Sequence, residues 1–395
     1  MKTPFVAAAL LAATGLAIAY YPALSSVQDP PPPVLPSNDT KPKVEAVFVL
    51  DTTGSMGGLI QAAKDKIWSI ASSMAQAQPT PEIRLGLVAY RDRGDQYVTK
   101  VVNLSTDLDS LHATLMDFKA DGGGDGPESV NQALDDAVNR ISWSQDPQTY
   151  KVVFLVGDAP PHMDYQDDVK YPVTLAKAKD KGILVNSIQC GVQTDTTSAW
   201  QRIAQLGNGQ YFQVAQDGGA VALATPYDAR LAEVAAKMDA TRLGYGSTGE
   251  LAEAKAKQDA ASKVHSTASV ESQARRAVFN SSKAGQDNFL GGKDLVEDVK
   301  SGRVDPAKLA PAALPAPVQA LAPEERQAFI EETGKQREIL KKEAEDLSRQ
   351  RNDYLRDKVE RAGGAKESLD QKLYGAIKDQ AKTKGLRYES DSASF

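Results

Sequence analysis

VEAVFVLDTTGSMGG, residues 44–58, is the stretch whose reading decides the fold. Its first half is a short apolar run of the kind that is buried on both faces in a parallel sheet. The run stops at a polar, glycine-containing turn. LIQAAKDKIWSIASSMAQ then places Leu59, Ile60, Ala63, Ile67, Ile70 and Met74 at helical spacing, which predicts a helix packed by one face. Strand, turn and helix follow in order. Working outward, further apolar runs predict strands at residues 83–90, 97–104, 150–157, 183–190 and 209–214, with helices in most of the gaps. Strands alternating with helices predict a doubly wound, Rossmann-like α/β fold with a mostly parallel six-stranded sheet and helices on both faces. Ligands of such sheets bind outside the carboxyl ends of the strands, near the point where strand order reverses.

Three loops fall at those ends: DTTGSM at residues 51–56, GGGDGPES at 122–129 and LVGDAPPH at 155–162. Together they resemble the metal-site loops of von Willebrand factor A (vWA) domains. With YRDRGDQY (90–97), they are most similar to the branch found beside alpha-kinases and in hemicentin-like matrix proteins. The resemblance covers residues 44–242. It implies a metal-ion-dependent adhesion site (MIDAS) for Mg2+, with Mn2+ or Ca2+ as alternatives. Asp51, Thr53 and Ser55 would supply oxygens from the first loop and Asp158 an acidic group through water. A vertex would remain for an oxygen from a protein partner. A hard cation wants such an oxygen set, and Gly54 lets the turn fold sharply. Family members often carry threonine after the glycines of the second loop, where this chain has Asp125. Asp125 would either join the ion as a third carboxylate or face away and cap a helix beginning at Pro127. Glu128 reads as a first-turn acid of that helix. A phosphate-binding loop is disfavoured, because no Lys-Ser/Thr pair follows either glycine-rich loop.

YRDRGDQY is expected to turn the second strand into an antiparallel third. That would put Arg91, Asp92, Arg93 and Asp95 on the metal-site side as candidate partner contacts. The tripeptide Arg93-Gly94-Asp95 is read as a turn composition rather than a recognition signal.

With 46 Lys+Arg against 52 Asp+Glu and a formal charge of -6, the chain offers no general attraction to nucleic acid. Its one cysteine, Cys190, excludes an internal disulfide or a cysteine metal cluster and reads as core. His112, His162 and His265 are scattered, and His162 reads as a loop residue.

Residues 1–26 have the plan of a secretory signal: Lys2, an uncharged apolar stretch, then Ala17 and Ala19 in an A-x-A arrangement. An uncleaved membrane anchor is the alternative. Both imply export to a periplasmic or extracellular location. Residues 27–43, with DPPPPVLP, form a stiff linker. Beyond the A-type domain, residues 243–310 read as a polar helical region and 311–322 as a Pro/Ala-rich linker. Residues 323–389 read as a charged helical region and 390–395 as a disordered tail. Leu340, Leu347 and Tyr354 repeat every seven residues, so the long helix would be a coiled coil, a helix packed on the domain or an exposed single helix.

No catalytic constellation is visible, and the alpha-kinase of some relatives is absent. The expected function is an exported, metal-dependent protein-binding or adhesion module rather than an enzyme. The alternative is a metal-independent envelope scaffold assembled through the C-terminal helices.

Overall fold

The computed structural model describes residues 41–124, 126–216, 223–361, 369–390 and 393. The signal or anchor segment, nearly all of the proline-rich linker and Asp125 therefore lie outside the described residues. Six strands form one sheet: β1 (Lys43–Asp51), β2 (Glu82–Tyr90), β3 (Thr99–Ser105), β4 (Tyr150–Gly157), β5 (Ile183–Cys190) and β6 (Asn208–Val214). Their spatial order is β3-β2-β1-β4-β5-β6. Only β3 runs antiparallel, as the YRDRGDQY turn predicts. The order reverses between β1 and β4, whose register sets Leu50 opposite Val156. Asp51 and Asp158, just beyond these partners, thus emerge side by side at the switch point.

Alternation along β1 divides the core. Val47 and Val49 face α3 (Val130–Asn139), α4 (Tyr171–Asp180) and α5 (Thr194–Leu206). Val44, Ala46, Phe48 and Leu50 face α1 (Gly57–Ala75) and α2 (Leu108–Leu115). Cys190 is buried in this second layer, as its apolar surroundings predict.

The rest of the chain does not hang from the domain. It continues through α6 (Asp228–Asp239), α7 (Thr248–Thr267), α8 (Val270–Ser281), α9 (Gln286–Leu290), α10 (Leu295–Lys300), α11 (Ala316–Gln319), α12 (Pro323–Arg361) and α13 (Leu369–Ala381). Phe279 of α8, Leu355 of α12 and Tyr374 and Ile377 of α13 belong to the same core cluster as Phe48 and Trp68. Three expectations change as a result, and the choice left open for the long helix falls to packing on the domain. The break at residue 242 is not a domain boundary, because the outer face of α1 is covered by α8 and α13. Residues 311–322 are not a free linker, because Leu314 and Val318 are buried against Leu243 and Ile330. The heptad seam of α12 is filled inside the chain. Leu340 packs on Val234 and Met238, Leu347 lies against the same helix, and the Tyr354 ring meets Tyr227 edge-on at 6.3 Å. Finally, the residues described at the C-terminus are docked. Ser390 accepts hydrogen bonds from Tyr374 and Lys378, and Ala393 is buried.

Buried ion pairs lock this second layer. Arg276 is fully buried and donates to Asp109 of α2 (2.5 and 2.6 Å) and to Asp239 of α6 (2.8 and 3.1 Å). His265 reaches Asp239 at 2.7 Å. Arg337 of α12 holds Asp294 and the carbonyl of Thr241, Arg351 holds Asp228, and Lys66 of α1 lies 2.9 Å from Asp370 of α13.

His112 sits in the same layer. Its Nδ1 accepts from the Trp68 indole at 2.9 Å, so the ring proton is on Nε2, which faces the Lys64 carbonyl at 2.9 Å. Burial pushes its pKa down to about 4. The folded value lies below the unfolded one, so this neutral ring's contribution is present above pH 6.5 and lost as the pH falls towards 4. At 1.36 kcal/mol per unit the loss is roughly 3 kcal/mol. Glutamine can accept from the indole and donate to the carbonyl without titrating. The urea midpoint of wild type should therefore fall relative to that of His112→Gln between pH 7 and pH 4. A pH-independent gap would refute this account.

Candidate metal centre

The site is assembled from the ends of the two central strands. At the end of β1 the chain turns through a short 3-10 segment, Gly54–Met56, into α1. Asp51 is fully buried, and its Oδ1 accepts from the Thr53 amide at 2.9 Å and the Thr53 hydroxyl at 2.7 Å. Its Oδ2 has no hydrogen-bond partner. Thr52 is turned the other way, its hydroxyl bonded to the Tyr90 carbonyl and the Tyr97 hydroxyl. Ser55 is exposed at the mouth of the site. Gly157 sits beside Asp51 because nothing larger fits: a Cβ there would strike the Tyr90 hydroxyl and come within 3.0 Å of Asp51 Oδ2.

The second loop is stitched to the first by backbone bonds, Gly54 to the Gly122 carbonyl at 3.0 Å and Asp121 to the Thr52 carbonyl at 3.1 Å. Gly122 and Gly123 have φ of +76° and +79°, the left-handed region that glycine adopts without strain. A Cβ on Gly123 would lie 3.0 Å from both Glu128 Oε1 and Thr53 Cβ. The loops and Asp158 enclose a cleft of about 530 Å³ lined by Thr53, Ser55, Gly123, Glu128 and Asp158.

Asp158 is buried, and its Oδ2 accepts from Gln216 at 2.6 Å. Its carbonyl accepts from Thr196. The four residues of the cradle thus come together as the sequence implies, with Asp51 and Asp158 inside, Thr53 oriented by Asp51, and Ser55 at the rim. Asp125, the fifth expected ligand, is outside the described residues.

Glu128 is placed differently from expectation. The helix starts at Val130, with Ser129 before it, rather than at Pro127. Glu128 instead forms an isolated bridge to Pro161, donating to the Pro160 carbonyl and accepting from the His162 amide. Its side chain is buried, with Oε2 lacking a partner. Burial, reinforced by the charges of Asp51, Asp92, Asp95 and Asp158, pushes its pKa up to about 9. Burial likewise raises Asp51 to about 7, against the lowering effect of its bonds from Thr53. Buried carboxylates with orphaned oxygens are unfavourable in isolation; Glu128 carries one on the cleft lining and Asp51 another beside the Thr53 that lines it, so the residues present fit a cation. Among the described residues no three His, Cys, Asp or Glu side chains converge to form a metal cage by themselves. The fit is therefore to a mixed set of carboxylate and hydroxyl oxygens, which suits Mg2+.

The YRDRGDQY residues expected to face a partner instead mostly brace the loops. Arg91 is buried, donating to the carbonyls of Thr52 (3.2 Å) and Lys119 (2.8 Å) with its guanidinium over the Tyr97 ring. Asp92 is buried and accepts from Ser129 and Tyr165. Asp95 accepts from the Gly123 amide. Arg93 is the half-exposed one. It pairs with Asp167 and Asp168 and lies over Tyr165. His162 is in a loop but buried, stacked on Tyr165 and bonded to Asp164. Sequence reading missed Gln216 altogether, since no motif surrounds it.

Residues 45–225 match the family model described as von Willebrand factor A domain. Von Willebrand factor A domain-containing protein 7 of Rattus norvegicus is 38% identical over 97 residues, 25% of this chain and 10% of that protein. Alpha-protein kinase vwkA of Dictyostelium discoideum is 28% identical over 122 residues, 30% of this chain and 19% of that one. The chain thus spans only 10% to 19% of the length of these curated relatives. Among solved structures, proximal thread matrix protein 1 from the mussel byssus, with a zinc occupied MIDAS motif, is 16% identical. The match covers 45% of this chain and 43% of that one at a TM-score of 0.36.

Proposed function

With residues 45–225 a von Willebrand factor A domain, a module that serves protein-protein interaction or adhesion, we propose that this chain is an exported, non-enzymatic binding protein whose hold on its partner requires Mg2+. The observation that carries this reading is the pair of buried, orphaned carboxylate oxygens, Asp51 Oδ2, on the residue that orients Thr53, and Glu128 Oε2, on the cleft that Thr53, Ser55 and Asp158 also line. Asp51, Thr53, Ser55 and Asp158 would hold the ion, which when bound would neutralise their charge and offer a coordination position to a partner oxygen. The chain's own residues do the arranging. Thr53 is fixed by Asp51, Asp158 by Gln216, and the two loops by Arg91. Export rests on the apolar segment after Lys2. The scaffold alternative is disfavoured because the α12 seam it would use is packed within the chain.

The test is thermal unfolding of the full chain in Mg2+ or Mn2+ and in chelator, for wild type and Asp51→Ala. A ligand held only by the folded state stabilises it, by about 2.7 kcal/mol at a hundredfold excess over Kd. Wild type should melt higher with metal, and Asp51→Ala should lose that gain. Identical melting of wild type with and without metal would refute the reading.

A further inference from the structure

The cleft at the ends of β1 and β4 opens through a rim of acids to which the chain gives no basic partner. Asp195 is exposed in the first turn of α5 and lines the cleft. Asp95 accepts from the backbone amides of Asp92 and Gly123, and Asp158 from the neutral Gln216. The nearby cations are engaged elsewhere, Arg91 with the carbonyls of Thr52 and Lys119 and Arg93 with Asp167 and Asp168. Water satisfies an exposed acid, but it does not reach Glu128. This side chain lines the same cleft, is 4% exposed, and has no hydrogen-bond partner at Oε2. A buried acceptor of that kind costs free energy until a donor from outside meets it. Burial and the like charges around it raise its pKa, and an opposite charge that carries donors offsets both effects. Apolar side chains flank the opening. Met163, directly after His162, is 49% exposed, and Val192, next to the cleft residue Gln193, is 81% exposed. Acids beside exposed apolar groups complement a protein segment that carries basic and apolar residues together.

We propose that this face binds a basic segment of a protein partner, one arginine or lysine entering the cleft to pair with Glu128 and further basic residues lying over Asp195 and Asp95. The inference rests on the binding reading above for the face that meets a partner, and not on its metal. Arginine suits the cleft because its planar fork bonds both oxygens of a carboxylate at once. The chain's formal charge of -6 favours the same partner, and the association should weaken as salt screens it.

The test is fluorescence anisotropy of the full chain with a short labelled peptide of alternating arginine and leucine, and with the same peptide carrying glutamate for arginine, each in chelator and in Mg2+. Wild type in chelator should bind the arginine peptide at least about tenfold more tightly than the glutamate peptide. Glu128→Gln with Asp195→Asn should weaken that binding at least about fivefold. Glu331→Gln with Glu332→Gln, the same change of charge at exposed positions of α12, should leave it within about twofold. Equal weakening by the two pairs would reduce the attraction to net charge and overturn the proposal, as would equal binding of the two peptides. Should Glu128→Gln prevent folding, Asp195→Asn with Asp164→Asn, both at exposed positions, decides in the same way. The metal reading fails separately. Melting unchanged by Mg2+, with cleft-dependent peptide binding in chelator, removes the metal and supports this inference. Melting raised by Mg2+, with no preference for the arginine peptide, keeps the metal and overturns this inference alone.

Discussion

Ending the chain at Arg242 is expected to abolish cooperative unfolding of the A-type domain. Such a truncation removes Phe279, Leu355, Leu373, Tyr374, Ile377, Leu386 and Tyr388 from the core cluster that contains Phe48 and Trp68. Each fully buried side chain of this kind contributes about 1.5–3 kcal/mol. Seven of them sum to the order of 10 kcal/mol or more, comparable with the entire net stability of about 5–15 kcal/mol typical of a domain. The truncation also takes Arg276 from Asp109 and Asp370 from Lys66. The expected product is aggregation-prone and shows a broad, weak transition by circular dichroism. A sharp melt within a few degrees of the full chain would show that the helical layer is an accessory and not part of the core.

Arg276→Met is the single substitution with the largest expected cost. Arg276 is 0% exposed and is the cation shared by two buried carboxylates, Asp109 and Asp239. Burial alone would raise both carboxyls, but Arg276 holds Asp109 below the usual carboxylate range and, with His265 and Arg242, holds Asp239 well below it. Removing Arg276 takes both short bonds from Asp109, leaving Arg242 3.7 Å away, while Asp239 keeps His265 and Arg242; breaking such a buried pair costs about 3–5 kcal/mol. The measurement is the urea midpoint at pH 7. Adding Asp109→Asn to Arg276→Met should recover part of the loss, because it removes one stranded charge. The pH dependence has a definite sign. Depressed carboxyl values add stability that is present above pH 4 and lost as the pH falls below it. The gap between wild type and Arg276→Met should therefore narrow in acid. A midpoint shift under 1 kcal/mol at pH 7 would mean that the network is not what holds α2, α6 and α8 together.

The sequence by itself determined the sheet and the cradle. The continuous apolar runs give five strands that start within a residue of where the structure places them, and β3 begins at Thr99 rather than Tyr97. The four residues expected to hold the ion are legible because they are local. Asp51, Thr53 and Ser55 sit on one turn, and Asp158 directly follows a strand whose place in a doubly wound sheet is set by connection rules. Asp125 remains a sequence-level candidate only.

Tertiary structure alone decided the rest, for reasons of range and of competing local signals. Glu128 looks like a first-turn acid because Pro127 suits a helix start, and only the bridge to Pro161 delays the helix and turns the carboxyl inward. Arg91 and Asp92 look like surface charges, and only the neighbouring loops reveal them as buried braces. The heptad of α12 has the same spacing whether its seam meets another chain or α6. Lys66 shows why α1 reads as half-exposed when it is covered on both faces. A buried lysine is invisible until Asp370, more than three hundred residues away, is brought to 2.9 Å. Periodicity reports which residues face one side of an element. It does not report what the fold brings to the other.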